Sequence, residues 1–186
     1  MKVARPTNFP TRLEERYHAI LKRRVRAAYL LLQKKLAGVL KRLKPGIDER
    51  AARKDSVASD IAEIIRVVNQ VERAHAKAYG VGGDDLDAIA SAVATYTTGQ
   101  VARVIGIDVA AMPGVGPLLG EWTAANVDLI TSIDSQFFDQ IREQVKETVT
   151  SGRLTRDLAK SIRERYDVTA SRAQFIARDQ VAKLNA

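Results

Sequence analysis

Five cations in the first fifty residues, Arg12, Arg16, Arg23, Lys34 and Lys41, fall on one side of a helical wheel. At 100° per residue they lie within about 40° of one another. Fixed positive charges in such a row can do one kind of chemistry: they can neutralise a polyanion and release its counterions. Arg24, Lys35 and Arg42, each next in sequence to a member of the row, complete the set of candidate phosphate contacts. Tyr17 and Tyr29 are the aromatics that accompany them, too few for a platform of stacked bases. Any nucleic-acid contact is therefore expected at phosphates and indifferent to sequence. A solvated face on an ordinary core helix accounts for the same residues. A membrane-surface helix fits less well, because the apolar side lacks the Trp and Phe that such helices favour.

Other chemistry finds little support. The sequence contains two histidines, His18 beside Glu14 and His75 beside Glu72, far apart and too few for a joint metal site; both are expected at the surface. Asp84, Asp85 and Asp87 could attract a hard cation, but carboxylates at a helix N-terminus are explained by the helix dipole alone. "GVGPLLG" at 114–120 has the wrong glycine spacing for a dinucleotide loop, and Pro117 stands where a helix should cradle phosphate. No GK[ST] loop, GxSxG elbow or cysteine is present. The expectation is a protein without enzymatic activity, cofactor or metal.

The elements that must position these residues read as helices throughout. Thr11 and Glu14 have the spacing of a capping box. From there Leu21, Val25, Ala28, Leu32, Leu36, Val39 and Leu43 form one apolar seam, and Pro45-Gly46 is expected to end a basic amphipathic helix of about 48 Å. A second helix follows a cap at Asp55 or Ser56 and carries Val57, Ile61, Ile64, Val68, Val71 and Ala78 up to Gly80. A third spans 86–104. Residues 105–120 read as a Gly/Pro-punctuated connection, with a short extended piece at 105–109. A fourth helix begins near Pro117, with Leu118, Leu119, Trp122, Val127 and Ile130, and can run into a fifth over 135–150 through Phe137, Phe138, Ile141 and Val145. "SGRLT" then turns into a sixth over 155–165, and "DVTAS" into a seventh carrying Ala173, Ile176, Ala177, Val181 and Leu184.

The predicted fold is therefore all-α, with six to seven helices: a long basic N-terminal helix, a bundle, and a C-terminal αα-hairpin. Three regions are expected, 1–46, 47–120 and 121–186. Their charges differ. The first fifty residues hold 14 Lys/Arg against 4 Asp/Glu, a net +10; residues 51–150 hold 8 against 14, a net −6; the remainder hold 8 against 4, a net +4. Apolar residues make up 46% but aromatics 5%, a mix suited to helices packed through small side chains. No apolar run approaches the ~20 residues that cross a bilayer, and "MKVARPTNFP" lacks an apolar core for a secretory signal. A soluble protein made in a cytoplasm is expected, with no membrane partner. The two helices of 154–184 also have the outline of a helix-turn-helix DNA reader, with Arg172, Gln174 and Arg178 toward the groove; an αα-hairpin packed on its neighbours is the alternative.

Residues 122–186 resemble a known family. Asn126, Leu129, Ile130 and Ile133 match its Asn followed by Leu-Ile and Ile. A Gly-containing turn matches at Gly152, and a helix closing on Arg and an aromatic matches at Leu158, Ile162, Arg165 and Tyr166. A Ser-Arg-Ala-x-x-Ile-Ala-Arg element matches at Ser171, Arg172, Ala173, Ile176, Ala177 and Arg178, with Asn185 downstream. The segment is similar to the phage Mu F-like minor head proteins, or phage head morphogenesis proteins. The resemblance implies a protein of the capsid interior of a tailed phage or prophage, present in few copies and in the host cytoplasm during assembly. The implied partners are the portal protein, capsid or scaffold proteins, non-specific DNA, and further copies of itself. Family members bind the portal vertex and influence DNA packaging or ejection. They usually continue into a further domain, often with a Cys-x-x-Cys pair. This sequence stops at Ala186, which reads as a shortened form or a short member, and nothing of that domain carries over. Leu21, Val25, Leu32, Leu36, Val39, Leu43, Trp122, Leu129, Ile130 and Ile176 are the candidate partner-packing residues.

Overall fold

The computed structural model describes residues 10–50, 57–79, 83–105, 115–151, 153 and 155–185. It is all-helical among these residues, with five helices: α1 (Thr11–Arg50), α2 (Val57–Ala78), α3 (Gly83–Ile105), α4 (Val115–Thr150) and α5 (Thr155–Asn185). The expected extended piece at 105–109 lies outside the described residues beyond Ile105, the last residue of α3.

Five helices replace the expected six or seven because two breaks do not occur. The fourth and fifth expected helices are one helix, α4. The sixth and seventh are also one, so the C-terminal αα-hairpin is absent and the helix-turn-helix outline loses its turn. Neither joint contains the Gly or Pro that would force a break. Their Ser and Thr residues, which compete for backbone groups, bond back into the helix instead. Thr131 Oγ1 donates to the Val127 carbonyl at 2.9 Å, Thr169 Oγ1 to Arg165 at 2.8 Å, and Ser171 Oγ to Asp167 at 3.0 Å.

α1 also departs from expectation at both ends. Leu13 N and Glu14 N donate to the Pro10 carbonyl at 2.9 and 3.1 Å, so Pro10 occupies the cap and Thr11 is already the first helical residue. The helix continues through Pro45-Gly46 to Arg50. Pro45 lacks one N–H, which costs a hydrogen bond, yet its fixed φ is close to helical. Past the end of α4, Arg153 N reaches back to the Thr148 carbonyl at 3.0 Å.

The chain forms two compact units. One, the α2 unit, comprises residues 23–80 and 132–171. Its core gathers Ala28, Leu32, Leu36 and Val39 of α1, Ile64, Val68 and Val71 of α2, Phe137, Phe138, Ile141, Val145 and Val149 of α4, and Leu158 and Ile162 of α5. The two fully buried phenylalanines meet edge to face at 5.4 Å and contribute about 2 kcal/mol each by burial. Tyr29 and Tyr166 stack at 4.5 Å on the margin of this core.

The other, the α3 unit, comprises residues 1–22, 81–131 and 172–186. Tyr17 and Leu21 of α1, Ile89 and Val93 of α3, Ile130 of α4, and Ala173, Ala177 and Val181 of α5 form its core. Small residues at 173 and 177 let α5 approach closely, as the scarcity of aromatics suggests. The three regions expected from sequence do not correspond to these units, because α1, α4 and α5 each contribute residues to both.

Candidate nucleic-acid interface

α1 buries its seam within the chain and leaves its opposite side in solvent. In the α3 unit Arg12 and Arg16 are exposed; in the α2 unit Arg23, Lys34, Lys35 and Lys41 are exposed. None of these six has an ion-pair partner among the described residues. They are candidate cations that a polyanion can reach without first breaking an ion pair inside the protein.

The other two candidates are already engaged. Arg24 Nε donates to Asp134 Oδ2 at 2.7 Å, with both side chains only 12% exposed. Arg42 pairs with Glu63 of α2. Residues 24 and 42 lie about 100° around the helix from residues 23 and 41, nearer the seam, and there meet carboxylates of α4 and α2; Lys35, at a similar angle, meets none among the described residues and stays exposed. Arg24 thus spends its charge on Asp134 inside the α2 unit.

The candidate partner-packing residues are likewise placed. Leu21, Val25, Leu32, Leu36, Val39 and Ile130 are buried, and Leu43, Trp122, Leu129 and Ile176 are half-buried. The seam mates with the chain's own helices. Among the described residues, the large apolar side chains left in solvent are others: Leu30, Tyr79, Tyr96, Leu118, Val168 and Phe175. Arg172, Gln174 and Arg178, the residues of the helix-turn-helix reading, are exposed on the unbroken α5.

A buried polar joint stabilises each unit. In the α2 unit, Asp134 of α4 binds Arg24 of α1, and His75 of α2 stands against both. His75 Nδ1 is 3.6 Å from Asp134 Oδ2, and Nε2 is 3.2 Å from the Arg24 carbonyl oxygen. The ring packs on Tyr79 at 5.1 Å and Phe138 at 6.0 Å. Burial pushes the Asp134 carboxyl above its ordinary range, opposed by the Arg24 guanidinium. Burial also pushes the His75 imidazole below its ordinary range, opposed by Asp134. His75 is therefore a core residue, contrary to the expectation of a surface histidine. Its neighbour Glu72 turns instead to Arg142 of α4, which also holds Asn69 at 2.8 Å.

In the α3 unit Asn126 of α4 is fully buried. Its Oδ1 accepts from Tyr17 Oη at 2.6 Å; its Nδ2 donates to the Trp122 carbonyl at 2.8 Å and to Gln180 Oε1 of α5 at 3.3 Å. Trp122 Nε1 donates to the Gln180 carbonyl at 3.2 Å. Burial pushes the Tyr17 phenol far above its ordinary value, so it stays protonated and remains a donor.

Sequence reasoning missed Asp134, His75 and Arg24 as a set, although a signal existed. Asp134 falls four residues after Ile130 and three before Phe137, on the apolar stripe of α4, and His75 falls four after Val71 on that of α2. A charge on an apolar stripe implies a buried partner.

No group of His, Asp and Glu that could hold a metal occurs among the described residues. His18 is half-buried in the α3 unit, in a different core from His75. Asp87 is exposed, and the side chains of Asp84 and Asp85 lie outside the described residues. A cleft of about 650 Å³ in the α3 unit is lined by Pro10, Thr11, Arg12, Leu13, Ala92, Thr95 and Tyr96. Its mostly apolar lining assembles no acid–base pair. No described helix is long and apolar enough to cross a membrane.

No family model matches the chain, and no solved structure matches it. A stretch of 85 residues, 44% of the chain, is 41% identical to an uncharacterized protein of Haemophilus influenzae. The match covers 19% of that relative, so the chain is similar to about a fifth of a much longer protein.

Proposed function

We propose that this chain is a non-enzymatic assembly protein of a tailed-phage head. It acts in the capsid interior, docks on the portal or the inner face of the shell, and touches packaged DNA through phosphates without reading bases. The resemblance of residues 122–186 to phage Mu F-like minor head proteins motivates the assembly role. The observation that carries the DNA contact is the surface of α1: opposite a seam satisfied by the chain's own core, Arg12 and Arg16 in the α3 unit and Arg23, Lys34 and Lys41 in the α2 unit are exposed without ion pairs among the described residues, and Lys35 is exposed nearer the seam. Charges that stabilise nothing internally are free to release counterions from a polyanion. A protein partner would meet the exposed Leu118 and Phe175 of the α3 unit, since the seam is occupied.

Co-expression with the portal and capsid proteins of a head-gene cassette, followed by co-purification and imaging of the particles, tests the assembly role. Association with portal or shell supports it; a chain that stays a lone monomer beside assembled heads overturns it. DNA binding should be weak, salt-sensitive and equal across sequences. A preferred site bound at nanomolar Kd in physiological salt would instead favour a sequence-specific DNA-binding protein.

A further inference from the structure

The Arg24–Asp134–His75 joint contains a ring nitrogen whose neighbour cannot donate to it. A backbone carbonyl only accepts, so the 3.2 Å contact to the Arg24 carbonyl oxygen places the hydrogen on His75 Nε2. In the neutral ring Nδ1 is then a bare lone pair. It stands 3.6 Å from Asp134 Oδ2, a carboxylate oxygen that is also an acceptor. That oxygen takes the Arg24 Nε hydrogen at 2.7 Å, and Oδ1 of the same carboxylate is buried with no partner among the described residues. Two acceptors face each other in a core, where water does not screen them. One added proton turns that opposition into an ion pair.

The groups around the imidazole are few. Its charged neighbours are Asp134 from α4 and Arg24 from α1. Tyr79 of α2 and Phe138 of α4 pack on the ring, and α5 adds no charge to it among the described residues.

We propose that the junction of His75 Nδ1 with Asp134 Oδ2 is a buried binding site for a single proton, and that its occupancy sets how firmly α2 is held to α1 and α4 within the α2 unit. Burial draws the two groups toward each other in pH, His75 down from 6.5 and Asp134 up from 3.8, so that one proton serves the pair. The consequence for stability has a definite sign. As pH falls through 6.5 the unfolded chain protonates its histidine first, while the folded joint, with His75 held lower, lags behind. The unfolded state then binds more protons, and stability falls with pH over that interval. The loss stops once the folded joint takes the shared proton. The device is independent of any polyanion on α1.

Imidazole ¹⁵N NMR on the full chain tests this directly, because the sequence has two histidines and a His18→Gln variant assigns them. At about pH 8 His75 should carry its hydrogen on Nε2, and on acidification the Nδ1 resonance should titrate with a midpoint below 6.5, the ordinary value. Asp134→Asn should lower that midpoint further, since the carboxylate favours the imidazolium. A hydrogen on Nδ1 at high pH, a midpoint at or above the ordinary value, or a midpoint that Asp134→Asn leaves unmoved or raises would overturn the proposal. Where that variant does not fold, the tautomer and midpoint of the unsubstituted protein decide.

Discussion

Replacing Arg12, Arg16, Arg23, Lys34, Lys35 and Lys41 together by glutamine removes every candidate cation that the fold leaves unpaired. Each phosphate contact contributes about −0.9 to the slope of log K against log salt on duplex DNA, so six contacts set the steepest slope at about −5. Between roughly 50 and 200 mM salt the unsubstituted protein should lose about a thousand-fold in affinity. Fluorescence anisotropy on a short duplex over that range reads the slope. The sixfold variant should flatten it and keep its helical circular dichroism, because all six side chains are exposed. Substituting Arg12, Arg16 and Arg23 alone should halve the slope. Arg42→Gln is the control: its charge is offset by Glu63, and the slope should barely change. A sixfold variant with the original slope, or an Arg42 variant that flattens it as much, refutes the assignment of free and engaged cations.

Asp134→Ala strands the Arg24 guanidinium in the α2 core and should cost about 3–5 kcal/mol, read as a lowered urea midpoint; an unchanged midpoint would mean the pair is not buried in solution. The Tyr17 phenol, held protonated by burial, ties stability to alkaline pH: the unfolded chain loses this proton near 10 while the folded one keeps it, so stability should fall as pH rises past that value. Tyr17→Phe should abolish that alkaline loss and, by orphaning Asn126 Oδ1, cost about 1–3 kcal/mol at neutral pH in thermal unfolding. Phe175, 74% exposed, should be replaceable by alanine with little change in Tm, yet the variant should co-purify less well with portal or shell proteins.

The helical seams were legible because apolar periodicity is imposed by the core itself: Leu21 to Val39 of α1 and Phe137 to Val145 of α4 are buried where their spacing places them. Helix ends were less legible. Asp167 to Ser171 contains residues common in turns, and nothing local reveals that Thr169 and Ser171 would spend their hydroxyls on the preceding turn. Pro45 misled for the converse reason, since a proline disfavours a helix interior by about 3 kcal/mol without forbidding it, and α1 continues to Arg50. Among the cations, the wheel separated the exposed row from the seam but could not show that Arg24 and Arg42 meet carboxylates from α4 and α2. Pairings over more than a hundred residues, such as Tyr17 with Asn126, follow from topology and have no local signature.

The core around Tyr17 and Leu21 cannot close until Ala173, Ala177 and Val181 exist to complete it. At ribosomal speeds of about 5–20 residues per second, the early helix waits on the order of ten seconds with its greasy side uncovered. Such a nascent chain invites chaperones, or an early partner, to shelter it. A release of the ribosome short of Val181 leaves one assembly of helices permanently unfinished, whatever the state of the other.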